Sequence, residues 1–272
     1  MDARVFRRVQ RYGWDVGSDA YDRAWVPQLE RLTRRCVERA QLHAGERVLD
    51  LATGTGVGAL AAAAAVGDMG SVTGIDVSEK MVALAAARGQ ASGARNAHFE
   101  RADMEATGGA DGGYHAVVCA FGLMFAANYT AAFTEIARVT APGGRVSVCV
   151  WGRRSACGFA DVFPIVEGQI KGDACPLFFS LGAPGALMSG LQRAGLDVTA
   201  EERMPVTLAW QSADDVCDAL LEGGAVALAW NHFSPEVRAE VRAAFLATLE
   251  PFRSGRGYDV PAEVVFATAR KR

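Results

Sequence analysis

Val48-Leu49-Asp50-Leu51-Ala52-Thr53-Gly54-Thr55-Gly56-Val57-Gly58 reads as a buried strand that runs into a glycine-rich turn and then into a helix. Glycine supplies the sharp turn and lets the backbone approach a ligand, and the helix start that follows presents unpaired N–H groups to it. By itself this stretch leaves two cofactors open. Gly54, Gly56 and Ala59 also satisfy the G-x-G-x-x-G/A spacing of a dinucleotide site.

Outward from this stretch, short β-branched runs alternate with helical stretches, the pattern of a parallel sheet covered on both faces. Strands are predicted over 47–51, 71–76, 97–101, 115–120 and 144–150, and helices over 57–66, 78–90 and 129–139, the second opened by Ser78 as N-cap. Pro142, Gly143 and Gly144 are expected to stop the third helix and turn the chain into the fifth strand. The strand ends carry acids. Asp50 closes the first, four residues before Gly54, where a pyrophosphate would be repelled but an ammonium group attracted. Asp76 closes the second, placed to take both ribose hydroxyls, a device that dinucleotide enzymes share. The third ends in Ala102-Asp103-Met104, an acceptor for an adenine amine beside a side chain that packs on the ring. Three acids at three successive strand ends suit a ligand with one ribose, one adenine and one amino-acid tail.

These motifs, with Gly74-Ile75-Asp76 followed by Met81 and with Ala141-Pro142-Gly143-Gly144-Arg145 before the fifth strand, resemble those of the class I S-adenosylmethionine-dependent methyltransferases. Within that class they are similar to the branch of ubiquinone and menaquinone biosynthesis enzymes, over roughly residues 20 to 150. The resemblance implies a Rossmann-like α/β fold: a seven-stranded, mostly parallel sheet with helices on both faces and an antiparallel final strand, here expected at 264–269. It implies S-adenosyl-L-methionine as cofactor. Ala52, Thr53 and Gly54, in the loop with Gly56, would then line the methionine moiety, Asp76 would bind the ribose and Asp103 the adenine amine. Val77 and Met104, with Met81 and Ala102 beside them, would enclose the adenine, and Ala120-Phe121-Gly122-Leu123 would pass the sulfonium. Ala52 departs from the glycine that many relatives carry. Tyr12, Trp14, Tyr21 and Trp25 lie in a segment that folds over the cofactor in relatives; Tyr21 is placed near the methionine carboxylate or the substrate, with packing against the sheet as its alternative.

The expected organisation is an N-terminal helical lid segment over 1–45, a cofactor-binding core over 46–151, and the remaining strands over 152–272 with a small, mainly helical cap inserted at about 152–184 and 207–258. The lid contains an amphipathic helix over 25–40. Further helices are expected at 185–194, 212–222 and 234–251 and a strand at 196–206. Trp151, Phe159, Phe163, Phe178, Phe179, Trp210, Trp230 and Phe233 concentrate in this second half and are expected to line a pocket for a planar or apolar small molecule. For any one of them the alternative is the cap's own core. Methyl transfer mainly needs alignment and exclusion of water. Where a proton must leave, histidine is the usual base, and of four histidines only His232 falls in the cap.

A net charge of −3 gives no global attraction to phosphate backbones or anionic membranes, so neither nucleic acid nor membrane is an expected partner. No uncharged apolar run reaches the roughly 18 residues of a spanning helix, and the start lacks a secretory core, so a cytoplasmic protein, monomer or homodimer, is expected. Six cysteines without a CxxC pair read as packing thiols and no metal is expected. The expected activity is methylation of a small organic acceptor on oxygen or nitrogen, in biosynthetic or secondary metabolism. An NAD-dependent oxidoreductase and a non-catalytic cofactor-binding scaffold stand as alternatives.

Overall fold

The computed structural model describes residues 3–170, 175 and 177–272. Five strands lie parallel: β1 (Arg47–Leu51), β2 (Ser71–Asp76), β3 (Ala97–Arg101), β4 (Tyr114–Ala120) and β5 (Thr140–Trp151). Two long strands, β6 (Leu196–Trp210) and β8 (Gly257–Lys271), complete the order β3-β2-β1-β4-β5-β8-β6, with β8 antiparallel to both neighbours and a two-residue β7 (Arg253–Ser254) paired to it. The Rossmann-like sheet and its antiparallel last strand are thus present.

The period-two alternation of side chains along β1 explains why both faces are apolar. Val48 packs with Val72, Ala116 and Val118 against α2 (Val26–Arg39) and the alanine-rich α3 (Val57–Val66). Leu49 and Leu51 face the other way, with Val117, Phe133, Ile136, Leu187 and Leu191 of β4, α5 (Tyr129–Val139) and α7 (Ala186–Arg193). Asp50 therefore shares the face of Val48 and points at the start of α3. Ser78 caps α4 (Glu79–Ser92) by accepting from the Met81 amide at 3.1 Å.

Pro142–Gly144 do not lead into β5 as expected. The strand already begins at Thr140, paired with Tyr114, and the register jumps to Arg145 opposite Ala116, so the proline and glycines form a bulge. Proline has no N–H for the ladder, and a bulge is where a strand tolerates it.

The N-terminal segment, expected to be helical over 1–45 with one helix placed at 25–40, carries a further helix ahead of it. α1 (Ala3–Ala20) passes through one π-helical turn (Tyr21–Trp25) directly into α2. Between β6 and β8 lie α8 (Ala213–Cys217), a second π-helical turn (Asp218–Glu222), α9 (Ala227–His232) and α10 (Pro235–Leu249). Between β5 and α7 lies α6 (Val162–Glu167); residues 171–174 and 176 of the expected cap stretch fall outside the described residues. α1 packs along α9, and Gly17 permits it: a Cβ there would lie 3.1 Å from the Cβ of Ala227 at the start of α9. No helix among the described residues is long and apolar enough to cross a membrane.

Candidate active site

The carboxyl ends of β1, β2 and β4 open onto a cavity of about 970 Å³, counted out to its solvent-open mouth, which is where a doubly wound sheet binds ligands. Asp76 is the polar centre of one wall. Its Oδ2 accepts from the Gly54 amide at 3.0 Å and its Oδ1 from the Ser78 amide at 2.9 Å, so the carboxylate ties the glycine loop to the end of β2 while one side faces the cavity. Burial pushes its pKa up to about 6 against the opposing amides of Ser78, Gly54 and Val77. Val77, Met81, Ala102, Asp103 and Met104 continue this wall.

Asp50 is buried behind the loop. It accepts from the Thr53 hydroxyl at 2.7 Å and from the Ala59 amide at the start of α3. Burial outweighs both and pushes it up to about 7. Asp50 and Thr53 line a smaller polar recess of about 380 Å³ rather than the main cavity; Tyr21, Ala52 and Ala120 line both. Gly54 lines the main cavity, while Gly56 lines neither and forms the N-cap of α3.

Two non-glycine residues on the main wall have left-handed backbones, Ala52 at φ 53° and Phe121 at φ 58°. Such conformations cost an ordinary residue about 1–2 kcal/mol and cluster where a site over-determines them. Gly122 makes room between them, since a Cβ there would lie 2.5 Å from that of Ala52.

The fourth wall is α1 and the π-helical turn. Arg7, Gln10, Trp14 and Tyr21 are spaced by three, four and seven residues, which keeps them on one helical face, and all line the cavity. Polar ties hold this helix down. Arg7 pairs with Glu105 at 2.6 Å and with Asp103 at 3.2 Å, Arg11 with Glu79 at 3.0 Å, and Asp15 accepts from the Ser78 hydroxyl at 2.6 Å. Tyr21 is held well above the usual phenol range by burial and by the nearby Asp76 carboxyl. Beyond Tyr21 the lining turns apolar: Trp25, Leu29, Phe121, Met124, Phe125, Trp151, Phe178 and Ala225.

Of the aromatic residues expected to line a substrate pocket, only Trp151 and Phe178 line this cavity. Phe159, Phe163, Phe179, Trp210, Trp230 and Phe233 belong to or pack on a hydrophobic core that the second half of the chain shares with α2, β5 and β8, through ring contacts such as Trp151–Phe159 at 5.2 Å and Trp25–Trp210 at 5.6 Å. His232 does not reach the cavity. It is exposed at the end of α9, its Nδ1 2.7 Å from the Leu228 carbonyl, because Ala227 and Trp230 hold the buried face of that short helix. Sequence reasoning missed Arg7, Gln10, Met124, Phe125 and Ala225.

A methyltransferase-domain family model matches residues 48–144. A demethylmenaquinone methyltransferase from Thermus thermophilus is 34% identical over 185 residues, spanning 63% of this chain and 83% of that one. The chain belongs to the class I S-adenosylmethionine-dependent methyltransferases, in the branch of the ubiquinone and menaquinone biosynthesis enzymes. An aklanonic acid methyltransferase from Streptomyces sp. (strain C5) is 29% identical over 147 residues, covering 54% of this chain and 67% of the relative. Among solved structures, the cyclase SpnF superposes with a TM-score of 0.62 at 24% identity, covering 91% of this chain and 82% of that one, a likeness of fold alone. The protein is an S-adenosylmethionine-dependent methyltransferase acting on small molecules, and the dinucleotide alternative left open by Gly54, Gly56 and Ala59 is set aside. The methyltransferase cavity fits its cofactor on physical grounds. A Cβ added at Gly54 would meet nothing nearer than Tyr21 Cε1 at 3.8 Å, so the loop leaves space before it, and two carboxyls, Asp76 and Asp103, face that space from successive strand ends.

Proposed function

We propose that this methyltransferase methylates a planar, largely apolar small molecule at an oxygen that is ionised near neutral pH. The observation that carries this is the acceptor half of the cavity: apart from the Gln10 carboxamide its walls are rings and aliphatic chains, with no histidine and no lysine among the described lining residues. Its carboxylates are confined to the cofactor half, where Asp103 and Glu105 are paired with Arg7. An acceptor that arrives already nucleophilic needs no general base. The bound cofactor supplies an activated methyl group on its sulfonium.

The chain's own contribution is binding, orientation and exclusion of water. Asp76 accepts from the ribose hydroxyls while its amide bonds fix the Gly54 loop, Asp103 accepts from the adenine amine, and Val77 and Met104 flank the ring. Asp50 acts through the loop: by holding Thr53 and the start of α3 it sets where Ala52 and Gly54 stand. Tyr21 and Phe121, which both line the cavity, bound the passage between cofactor and acceptor. The aromatic walls present flat surfaces to a planar acceptor and keep the reacting atoms dry.

A second reading is methylation at the ring carbon next to an ionised hydroxyl, which shares its negative charge. The name of a relative from Bdellovibrio bacteriovorus, a ubiquinone/menaquinone biosynthesis C-methyltransferase 35% identical over 120 residues, favours it. Methyl-labelled S-adenosylmethionine incubated with 1-hydroxy-2-naphthoic acid and, in parallel, with a fractionated metabolite extract tests both. One added methyl on an acidic planar compound is expected, and fragmentation of the product separates oxygen from carbon. Labelling confined to aliphatic amines would sink the proposal.

The raised carboxyl pKa values give a further expected result. Asp50 and Asp76 hold protons more tightly folded than unfolded, where an aspartate titrates at 3.8, so the unliganded protein loses stability as pH rises from about 4 through 6 to 7. A ligand that donates hydrogen bonds to the Asp76 carboxylate favours its ionised form. Affinity for S-adenosylhomocysteine is therefore expected to rise about tenfold between pH 5 and 7 and then to level off, with proton release on binding. Calorimetry in buffers of different ionisation enthalpy measures both; a flat profile would remove Asp76 from the ribose contact.

A further inference from the structure

Gln10 lies on the cavity face of α1 between Arg7, which is committed to Asp103 and Glu105, and Trp14. It is 6% exposed. The wall around it is apolar: Trp14 meets Phe125 edge-on at 4.9 Å, and Phe125 meets Phe178 at 5.6 Å. A hydrogen bond links its side chain to the thiol of Cys175, itself buried. A carboxamide has two N–H donors and two lone pairs, and a thiol is a weak partner for one of them. Among the described residues the Cys175 thiol is the one hydrogen-bond partner of this side chain, so a ligand in the cavity it lines that offers it a donor or acceptor is favoured over one of the same shape that cannot.

We propose that Gln10 is the specificity-determining residue for the acceptor: its carboxamide hydrogen-bonds a carbonyl or hydroxyl oxygen on a planar ring and selects oxygenated rings over hydrocarbon ones. This rests on the planar acceptor argued above and adds which group the cavity recognises. Arg7 and Trp14 bracket Gln10 one turn to either side, so the oxygen it holds lies between the paired cationic end of α1 and the ring of Trp14. One edge of the acceptor is thereby fixed, and with it the atom turned toward the passage between Tyr21 and Phe121.

Calorimetric titration of the protein saturated with S-adenosylhomocysteine tests the assignment, using 1-naphthol and 1-methylnaphthalene, which differ by a hydroxyl in place of a methyl. The wild type is expected to prefer 1-naphthol by about tenfold or more. Gln10→Met, similar in length and apolar, is expected to bring that ratio to about one. Gln10→Glu retains oxygen acceptors and is expected to keep the preference. Affinity for S-adenosylhomocysteine, read on each variant first, reports whether the cavity is intact. A Gln10→Met protein that keeps the wild-type preference, or a wild type without one, overturns the role of Gln10 and leaves the planar acceptor standing. Failure of both compounds to bind the wild type overturns the planar acceptor and the Gln10 assignment together.

Discussion

Replacing Asp76 by Asn is expected to weaken binding of S-adenosylhomocysteine by about 100-fold or more, since two hydrogen bonds to a charged group are worth about 1.5–3 kcal/mol each. Both carboxylate oxygens already accept, Oδ2 from Gly54 and Oδ1 from Ser78. An amide must therefore turn its NH2 toward one of these N–H donors, whichever way it is placed. The loop loses an anchor at the same time as the ribose loses its acceptor. Stability is expected to change less than affinity, because the variant also removes a buried carboxyl whose ionisation disfavours the fold at neutral pH. The rise of affinity between pH 5 and 7 should flatten in the same protein. Calorimetry across that range decides it: affinity within tenfold of wild type, or an unchanged pH profile, would show that Asp76 serves the loop alone.

The parts legible in the sequence are those where local pattern and tertiary burial agree. β1 and β2 are buried on both faces and flanked by helices with clear ends, so 47–51 and 71–76 emerge with their boundaries, and the acids at the strand ends with them. The N-terminal segment reads as helical but α1 has no bounds in the sequence, because Gly13 and Gly17 weaken a helical pattern, yet Gly17 is what lets the helix lie against α9. With no bounds for α1, the residues Arg7, Gln10, Trp14 and Tyr21 could not be assigned to one helical face, and Gln10 was missed. β6 is an edge strand with one solvent-facing side, and its mixed middle, Ala200 to Pro205, carries no clean alternation. The cap aromatics show a different limit. Phe178 and Phe159 are alike in type and lie in the same inserted stretch, and one lines the cavity while the other does not, because that choice is made by how the inserted segments fold back on the sheet. His232 illustrates the same point: a residue in the right region, turned outward by a helix of six residues.

Gly122→Ala is the second large effect, and it acts through shape. The backbone at Gly122, φ −95° and ψ −44°, suits any residue, so strain is not the obstacle. The added methyl would lie 2.5 Å from the Ala52 Cβ, 2.8 Å from the Cys119 Sγ and 3.3 Å from the Leu51 carbonyl. Overpacking of this kind costs about 1–3 kcal/mol, which for a chain of this size lowers the melting temperature by about 2–4 °C per kcal/mol. Relief requires Ala52 or Phe121 to move, and both are held in left-handed conformations on the cofactor wall. Affinity for S-adenosylhomocysteine should therefore fall more than stability does, by about tenfold or more for a displaced wall worth 1.4 kcal/mol. Ala52→Gly removes the nearest clashing atom and the left-handed penalty at that position together, so the double variant is expected to recover most of the lost affinity, with a coupling of about 1 kcal/mol or more between the two sites. The Cys119 contact persists, and recovery should stop short of complete. Thermal melts and cofactor titrations on the two single variants and the double complete the cycle. Independent, additive effects would mean that Gly122 and Ala52 do not share the space that the geometry gives them, and that the alanine in place of glycine at the head of the loop is tolerated for some other reason.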